Sequence, residues 1–282
     1  MKLEKIHLKD YFSFLGENGN DPTVYAYLQG NPESTHHKNT KRPSLIICPG
    51  GGYQFCWVDG EGEPLAFHFL TEGFNVFVLD YSVEPNRFPT QLIEVAALME
   101  LIYKNAEEWH CNTEKIAIMG FSAGGHLAAH YSTMFDCEEV RKVFPESKSV
   151  NASVLGYPVI TAEPEFAHHG SFTNLLGEYP SEEIRARFSC EKCVKENTPP
   201  AFIWHIAEDS SVSSVNSLLY AKALIEHKIP TELHIYPFGW HGTATCDEQV
   251  LENVTNGVNH AAAWLDSLKK WFKLIDFKIE RQ

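Results

Sequence analysis

A helix that crosses a bilayer needs about 20 consecutive apolar residues, and no run in this 282-residue sequence approaches that length. The amino-terminal stretch Met1-Lys-Leu-Glu-Lys-Ile-His-Leu-Lys-Asp10 lacks the apolar segment of a secretory signal. Basic residues are scarce: 23 Lys and Arg stand against 37 Asp and Glu, a formal net charge of −14, and no basic run extends beyond Lys38 to Arg42. Such a surface repels a phosphate backbone, which argues against nucleic acid as a partner. Internal repeats and low-complexity tracts are missing as well. The seven cysteines are odd in number and scattered, so they do not read as a secreted disulfide framework, and reduced thiols in a cytosol are expected. Cys190-Glu-Lys-Cys193 is the only CxxC; without a second pair or neighbouring histidines it does not complete a four-ligand metal site. These absences predict a soluble cytoplasmic protein with no metal, membrane or nucleic-acid partner, and leave open whether it forms a homo-oligomer.

What is present is ordinary globular material, 44% apolar and 12% aromatic, in a chain long enough to bury a core without staples. Strand-like runs recur at Val24 to Leu28, Ser44 to Cys48, Phe74 to Tyr81, Lys115 to Met119, Ala152 to Ile160, Ala201 to Ala207 and Glu232 to Tyr236. Most are continuous apolar segments, as expected for strands covered on both faces. Helical periodicity lies between them, with Leu92, Val95, Ala96, Met99, Ile102, Tyr103 and Ala106 on one face, and again over Val212 to His227 and Val258 to Phe272. The polar stretch Asn31 to Arg42 reads as a loop. Alternating β and α units predict a mainly parallel sheet with helices on both faces, in one domain over residues 1–282. Residues 161–200 break the rhythm and read as an irregular insertion over the carboxyl edge of the sheet, near the mouth of a site.

Gly120-Phe-Ser-Ala-Gly124 follows a buried strand directly and opens a helix. A chain turning that sharply passes through a strained conformation at the serine, and glycines two before and two after remove side chains that would collide. The turn presents the Ser122 hydroxyl at a helix amino terminus, where backbone N–H groups favour negative charge. A serine hydroxyl needs a base, and the base needs a carboxylate to orient it. Asp209 stands at the end of a later strand and His241, in Gly239-Trp-His-Gly242, at the end of the last, in the order Ser, acid, His. Glu208 is the alternative acid beside Asp209. His205 and His234 sit inside strands and His126 one turn after the serine, and all three are expected to serve packing.

Pro49-Gly-Gly-Gly-Tyr53 follows the strand at Ser44 to Cys48. Glycines let backbone amides approach a reacting carbonyl oxygen, so Gly51 or Gly52, with Ala123, are the candidate oxyanion donors. Tyr53, Phe55, Trp57, Phe238 and Trp240 flank these loops and are candidate substrate contacts, Tyr53 and Trp240 foremost.

Taken together, Pro-Gly-Gly-Gly-Tyr53, Glu61-Gly-Glu-Pro64, Gly120-Phe-Ser-Ala-Gly-Gly-His-Leu-Ala128, Trp204-His-Ile-Ala-Glu-Asp209, Asn216-Ser-Leu-Leu-Tyr-Ala221 and Tyr236-Pro-Phe-Gly-Trp-His-Gly242 resemble the α/β-hydrolase superfamily. Within it they are similar to the small intracellular acetyl esterases described as acetylxylan esterase-like. The resemblance spans roughly residues 44 to 245. It implies an α/β-hydrolase fold, no metal or organic cofactor, and serine-dependent hydrolysis of short acyl esters, with acetyl groups on imported sugars or xylo-oligosaccharides as the expected substrate. Two positions depart from it: Pro49 stands where many relatives have His, and Ser211 to Val215 lacks a proline often found there. A peptidase or formamidase built on the same triad, or a catalytically silent binding protein, are the competing readings.

Overall fold

The computed structural model describes residues 1–17, 19–31 and 40–278. Eight strands join one sheet: β1 (Lys2–His7), β2 (Thr23–Leu28), β3 (Arg42–Cys48), β4 (Asn75–Asp80), β5 (Cys111–Phe121), β6 (Ala152–Gly156), β7 (Ala201–Ile206) and β8 (Thr231–Tyr236). Their spatial order is β1-β2-β4-β3-β5-β6-β7-β8. From β4 to β8 all neighbours run parallel, whereas β2 is antiparallel to both β1 and β4. This is the α/β-hydrolase arrangement.

The inner strands β3, β4, β6 and β7 are largely apolar and almost wholly buried because both faces are covered. In β3, Leu45 and Ile47 point to one side and Ile46 and Cys48 to the other, the two-residue period of a strand. Ile46 joins a core beneath the helices Thr90–Lys104, Ser122–Met134 and Val215–Glu226. Leu45 joins the opposite core, beneath Glu63–Thr71 and Ala263–Leu274. The helix Thr90–Lys104 buries Leu92, Val95, Ala96, Met99 and Ile102, the face that the periodicity predicts.

Three departures from the sequence reading have local causes. The strand β1 is unannounced, because an edge strand with one buried residue, Ile6, carries almost no apolar signal. The run Ala152 to Ile160 stops being a strand at Gly156: Tyr157 takes a φ of +35° and Pro158 follows. The final helical pattern is two helices, Asn256–Ala261 and Ala263–Leu274. Most of the polar stretch Asn31 to Arg42, residues 32–39, lies outside the described residues.

Between β6 and β7, residues 161–200 form the helices His169–Leu176 and Glu182–Phe188 and a short 3-10 turn at Cys190–Lys192. Asn216 pins the start of this segment, accepting from the amides of Ile160 (2.9 Å) and Thr161 (3.0 Å) and donating to the Phe166 carbonyl. Asn174 reaches from it to the Gly52 carbonyl at 2.8 Å. All seven cysteines are free thiols. No helix among the described residues is long and apolar enough to cross a membrane.

Candidate active site

Strand order puts the site where it is. The connection from β3 runs outward to β4, while β5 lies on the other side of β3, so a crevice opens at the carboxyl ends of β3 and β5. Cys48 and Gly120 are register partners. The loop Pro49–Gly52 and the turn at Ser122 therefore emerge side by side.

Ser122 has a φ of +53°, the strained backbone expected of the turn. A Cβ at Gly120 would sit 2.1 Å from the Gly124 carbonyl oxygen, and one at Gly124 would sit 2.1 Å from the oxygen of Cys48. The glycine spacing thus permits a contact between the turn, its own helix and the end of β3. In the helix Ser122–Met134 the amide of Ala123 lies in the first turn, where N–H groups have no intrahelical acceptor.

From β8, His241 brings Nε2 to 2.7 Å from Ser122 Oγ, and its Nδ1 lies 2.6 Å from Asp209 Oδ2. Asp209 follows β7 with its side chain buried. Its Oδ1 accepts from the amides of Ser211 and Val212, both at 2.9 Å. Burial works to raise the Asp209 carboxyl, but hydrogen bonds from His205 and His241 and the His241 charge hold it far below the usual carboxylate range. An ionised Asp209 requires the proton on His241 Nδ1, which leaves the Nε2 lone pair for the serine hydroxyl; this tautomer follows from the bonding pattern. Glu208 is exposed and turned away, near the Gly239 amide at 3.3 Å.

A cavity of about 290 Å³ opens over this group. It is lined by Gly51, Gly52, Ser122 and His241, together with Phe55, Trp57, Glu61 and His168. Gly51 and Gly52 have φ values of +131° and +65°. The amides of Gly51, Gly52 and Ala123 have no acceptor among the described residues. The aromatic expectations divide. Phe55 and Trp57 line the cavity, but Tyr53 does not: it is buried, its hydroxyl lies 2.9 Å from His126 Nδ1, and its ring packs edge-on to Tyr81. A φ of +59° turns Tyr53 back into the core. Trp240 and Phe238 are exposed and do not line this cavity either.

His126 packs as expected, bridging Tyr53 and the Phe188 carbonyl, with burial pushing it down to about 4. His234 packs against the rings of Phe202 and Tyr236, but on the edge strand β8 it stays partly exposed and pairs with Glu232.

Four residues near the site carry roles the sequence did not announce. His205 contacts Asp209 Oδ2 at 3.3 Å while Ser217 and the Val212 carbonyl hold its ring, so it steadies the acid as well as filling the core. His168 arrives from the 161–200 segment, where its Nδ1 caps the helix His169–Leu176 by accepting from the Ser171 amide at 3.3 Å. Glu61 and Tyr157 meet at 2.6 Å beside the His241 ring. The recurrence of Glu61-Gly-Glu-Pro64 in the family pattern was the one available signal for Glu61. Among the described residues no three His, Cys, Asp or Glu side chains converge as a metal site.

The BD-FAE family model matches residues 33–224. The chain is 35% identical to endo-1,4-beta-xylanase B of Butyrivibrio fibrisolvens over 90% of its own length, and 30% identical to the acetylxylan esterase of Xylanibacter ruminicola over 73%. It spans 40% and 42% of those two longer relatives. The solved acetyl ester-xyloside bifunctional hydrolase of Caldicellulosiruptor lactoaceticus superposes with a TM-score of 0.83 at 32% identity, covering 98% of this chain and 97% of that one.

Proposed function

Because the chain belongs to the BD-FAE family of α/β-hydrolases, we propose that it is a carboxylic ester hydrolase working through Ser122, His241 and Asp209. Its proposed substrates are short acyl esters, with acetyl groups on sugars or xylo-oligosaccharides as the preferred class. The observation that carries the reading is the unbroken line from Asp209 Oδ2 through His241 to Ser122 Oγ, 2.6 and 2.7 Å long, in a cavity shared with Gly51 and Gly52.

In this reading His241 Nε2 takes the Ser122 proton as Oγ attacks the ester carbonyl. The negative charge that develops on the carbonyl oxygen meets the amides of Gly51 or Gly52 and Ala123, each such donor being worth about 10²–10³ in rate. His241 then returns the proton to the departing alkoxide, and an acyl-serine remains. Water activated by the same imidazole releases the acid. Asp209 offsets the positive charge on His241 during both halves. Phe55 and Trp57 offer flat apolar faces to the alcohol portion, a surface suited to a sugar ring. The acetyl and xyloside chemistry in the names of the relatives supports the same substrate class.

Replacing Ser122 by alanine removes the nucleophile, so turnover of p-nitrophenyl acetate should fall by about 10⁴-fold or more. Labelling by a fluorophosphonate probe should vanish with it. Unchanged turnover or labelling in Ser122→Ala would end the proposal. Acetylated xylo-oligosaccharides should be cleaved in preference to long-chain esters, and the opposite preference would remove the sugar-acetate assignment.

A further inference from the structure

Glu61 is a buried carboxylate, 2% exposed, with no lysine or arginine paired to it among the described residues. A charge in that position is costly to keep unless its hydrogen bonds do something that an apolar side chain would not. Both of its oxygens are occupied. Oε2 accepts from the Gly50 amide at 2.6 Å, and Oε1 accepts from the Tyr157 hydroxyl at 2.6 Å. The Tyr157 oxygen in turn accepts from the Ala244 amide at 3.0 Å, three residues beyond His241 in the same loop. The Tyr157 ring also meets the His241 ring, centroids 4.9 Å apart at an angle of 67°. On its other side Gly50 has no spare room: a Cβ there would lie 2.6 Å from Glu61 Oε2 and 2.9 Å from Ser122 Cβ.

Resting on the esterase reading above, we propose that Glu61 is a positioning residue that ties the Gly50–Gly52 loop to the His241 loop through Tyr157. The oxyanion donors and the base are thereby spaced before substrate arrives. The two loops leave strands four places apart in the sheet, β3 and β8, and the tie runs from the Gly50 amide through the Glu61 carboxyl and the Tyr157 hydroxyl to the Ala244 amide. Glu61 and Tyr157 thus join the two loops to each other, whereas the other bonds hold each loop separately, Asn174 at the Gly52 carbonyl and Trp264 at the Ala244 carbonyl. Preorganised donors lose their value steeply with displacement: a shift of about 1 Å costs about 10²-fold in rate. Glutamine could still accept from the Gly50 amide, but its NH2 would then face a Tyr157 oxygen that already accepts from the Ala244 amide, and the Tyr157 proton would lose its acceptor, so the tie would be altered.

The test compares Glu61→Gln, Tyr157→Phe and the double variant, each assayed per active site counted by fluorophosphonate labelling, well below its own unfolding temperature. Glu61→Gln should lower kcat for p-nitrophenyl acetate about 10- to 100-fold with KM within about threefold, and should slow phosphonate labelling in parallel. Tyr157→Phe keeps the Gly50 bond but cuts the link to Ala244, and should lose less. Because both residues belong to one chain of contacts, the double variant should resemble Glu61→Gln rather than multiply the two losses. A Glu61→Gln enzyme with wild-type kcat per labelled site overturns the proposal, as does a double variant in which the losses multiply. Loss of labelling in Ser122→Ala reports on the nucleophile separately, so the failure of this tie and the failure of the esterase reading are told apart.

Discussion

Asp209 and Glu94 are both buried carboxyl groups, and their surroundings push them in opposite directions. Around Asp209, two backbone amides and two histidines favour the charged form strongly enough to overcome burial. Glu94, on the helix Thr90–Lys104, has only the amide and hydroxyl of Ser82 at 2.8 and 2.5 Å. Burial therefore prevails, helped by nearby Asp80, and the Glu94 carboxyl is pushed up to about 7. The sign of the consequence follows from proton counting. Between about 4.5 and 7 the folded protein holds a proton here that the unfolded chain has released, so this group lowers stability as pH rises through that window. Glutamine keeps both contacts to Ser82, accepting from the amide and donating to the hydroxyl oxygen, and it never ionises. Urea unfolding should therefore show Glu94→Gln gaining on the parent protein by on the order of 2–3 kcal/mol between pH 5 and pH 8. A difference that does not change with pH would show that Glu94 is already ionised in the fold.

At the scale of elements, the turn between β5 and the helix Ser122–Met134 is tightly constrained by backbone on two sides. Gly124 packs against the carbonyls of Cys48 and Pro49, where a Cβ would come within 2.1 and 2.3 Å. Both obstacles are backbone, so relief requires moving the loop that carries Gly51 and Gly52. Gly124→Ala should cost at least about 10²-fold in kcat/KM for p-nitrophenyl acetate, because the donors move with the loop. Gly30 has open space around it, and Gly30→Ala, the matched control, should leave turnover unchanged. Equal activity of the two variants would show that the loop tolerates displacement. The segment 161–200 belongs to this scale too. Its tie from Asn174 to Gly52 and its His168 in the cavity make it a wall of the site as well as a connection.

Across the whole molecule, the site depends on the core beneath it. Trp264 in the carboxyl-terminal helix stacks on Trp204 of β7, 4.9 Å between centroids and 15° apart in plane. It meets Phe121 at the end of β5, and its Nε1 donates to the Ala244 carbonyl at 3.0 Å. One side chain thus joins the strand before Ser122, the strand before Asp209 and the loop of His241. Removing a buried tryptophan costs about 3–5 kcal/mol. For a chain of this size Trp264→Ala should lower Tm by roughly 10 °C, measured by thermal unfolding followed in circular dichroism. A fall of less than about 2 °C would mean that the helix Ala263–Leu274 contributes little to the core.

The fold class was legible in the linear pattern because strands buried on both faces must be apolar at every position, and that signature does not depend on what they touch. The strands β3 to β7 announce themselves in this way, whereas β1 does not, because an edge strand is free to be polar. The turn at Ser122 was legible for a similar reason: collision with the turn's own backbone restricts Gly120 whatever the rest of the chain does, although Gly124 answers to the carbonyls of Cys48 and Pro49. The order of Asp209 and His241 at successive strand ends followed from connectivity alone. Tertiary packing alone decided the remainder. A φ of +59° sends Tyr53 into the core while its neighbours Phe55 and Trp57 face the cavity. Glu61 meets Tyr157 and through it Ala244 across gaps of many tens of residues, and His168 comes down from the irregular segment. Side-chain direction and long-range meeting are properties of the folded surface, set by packing energies summed over the whole sheet, and no local stretch of sequence contains them.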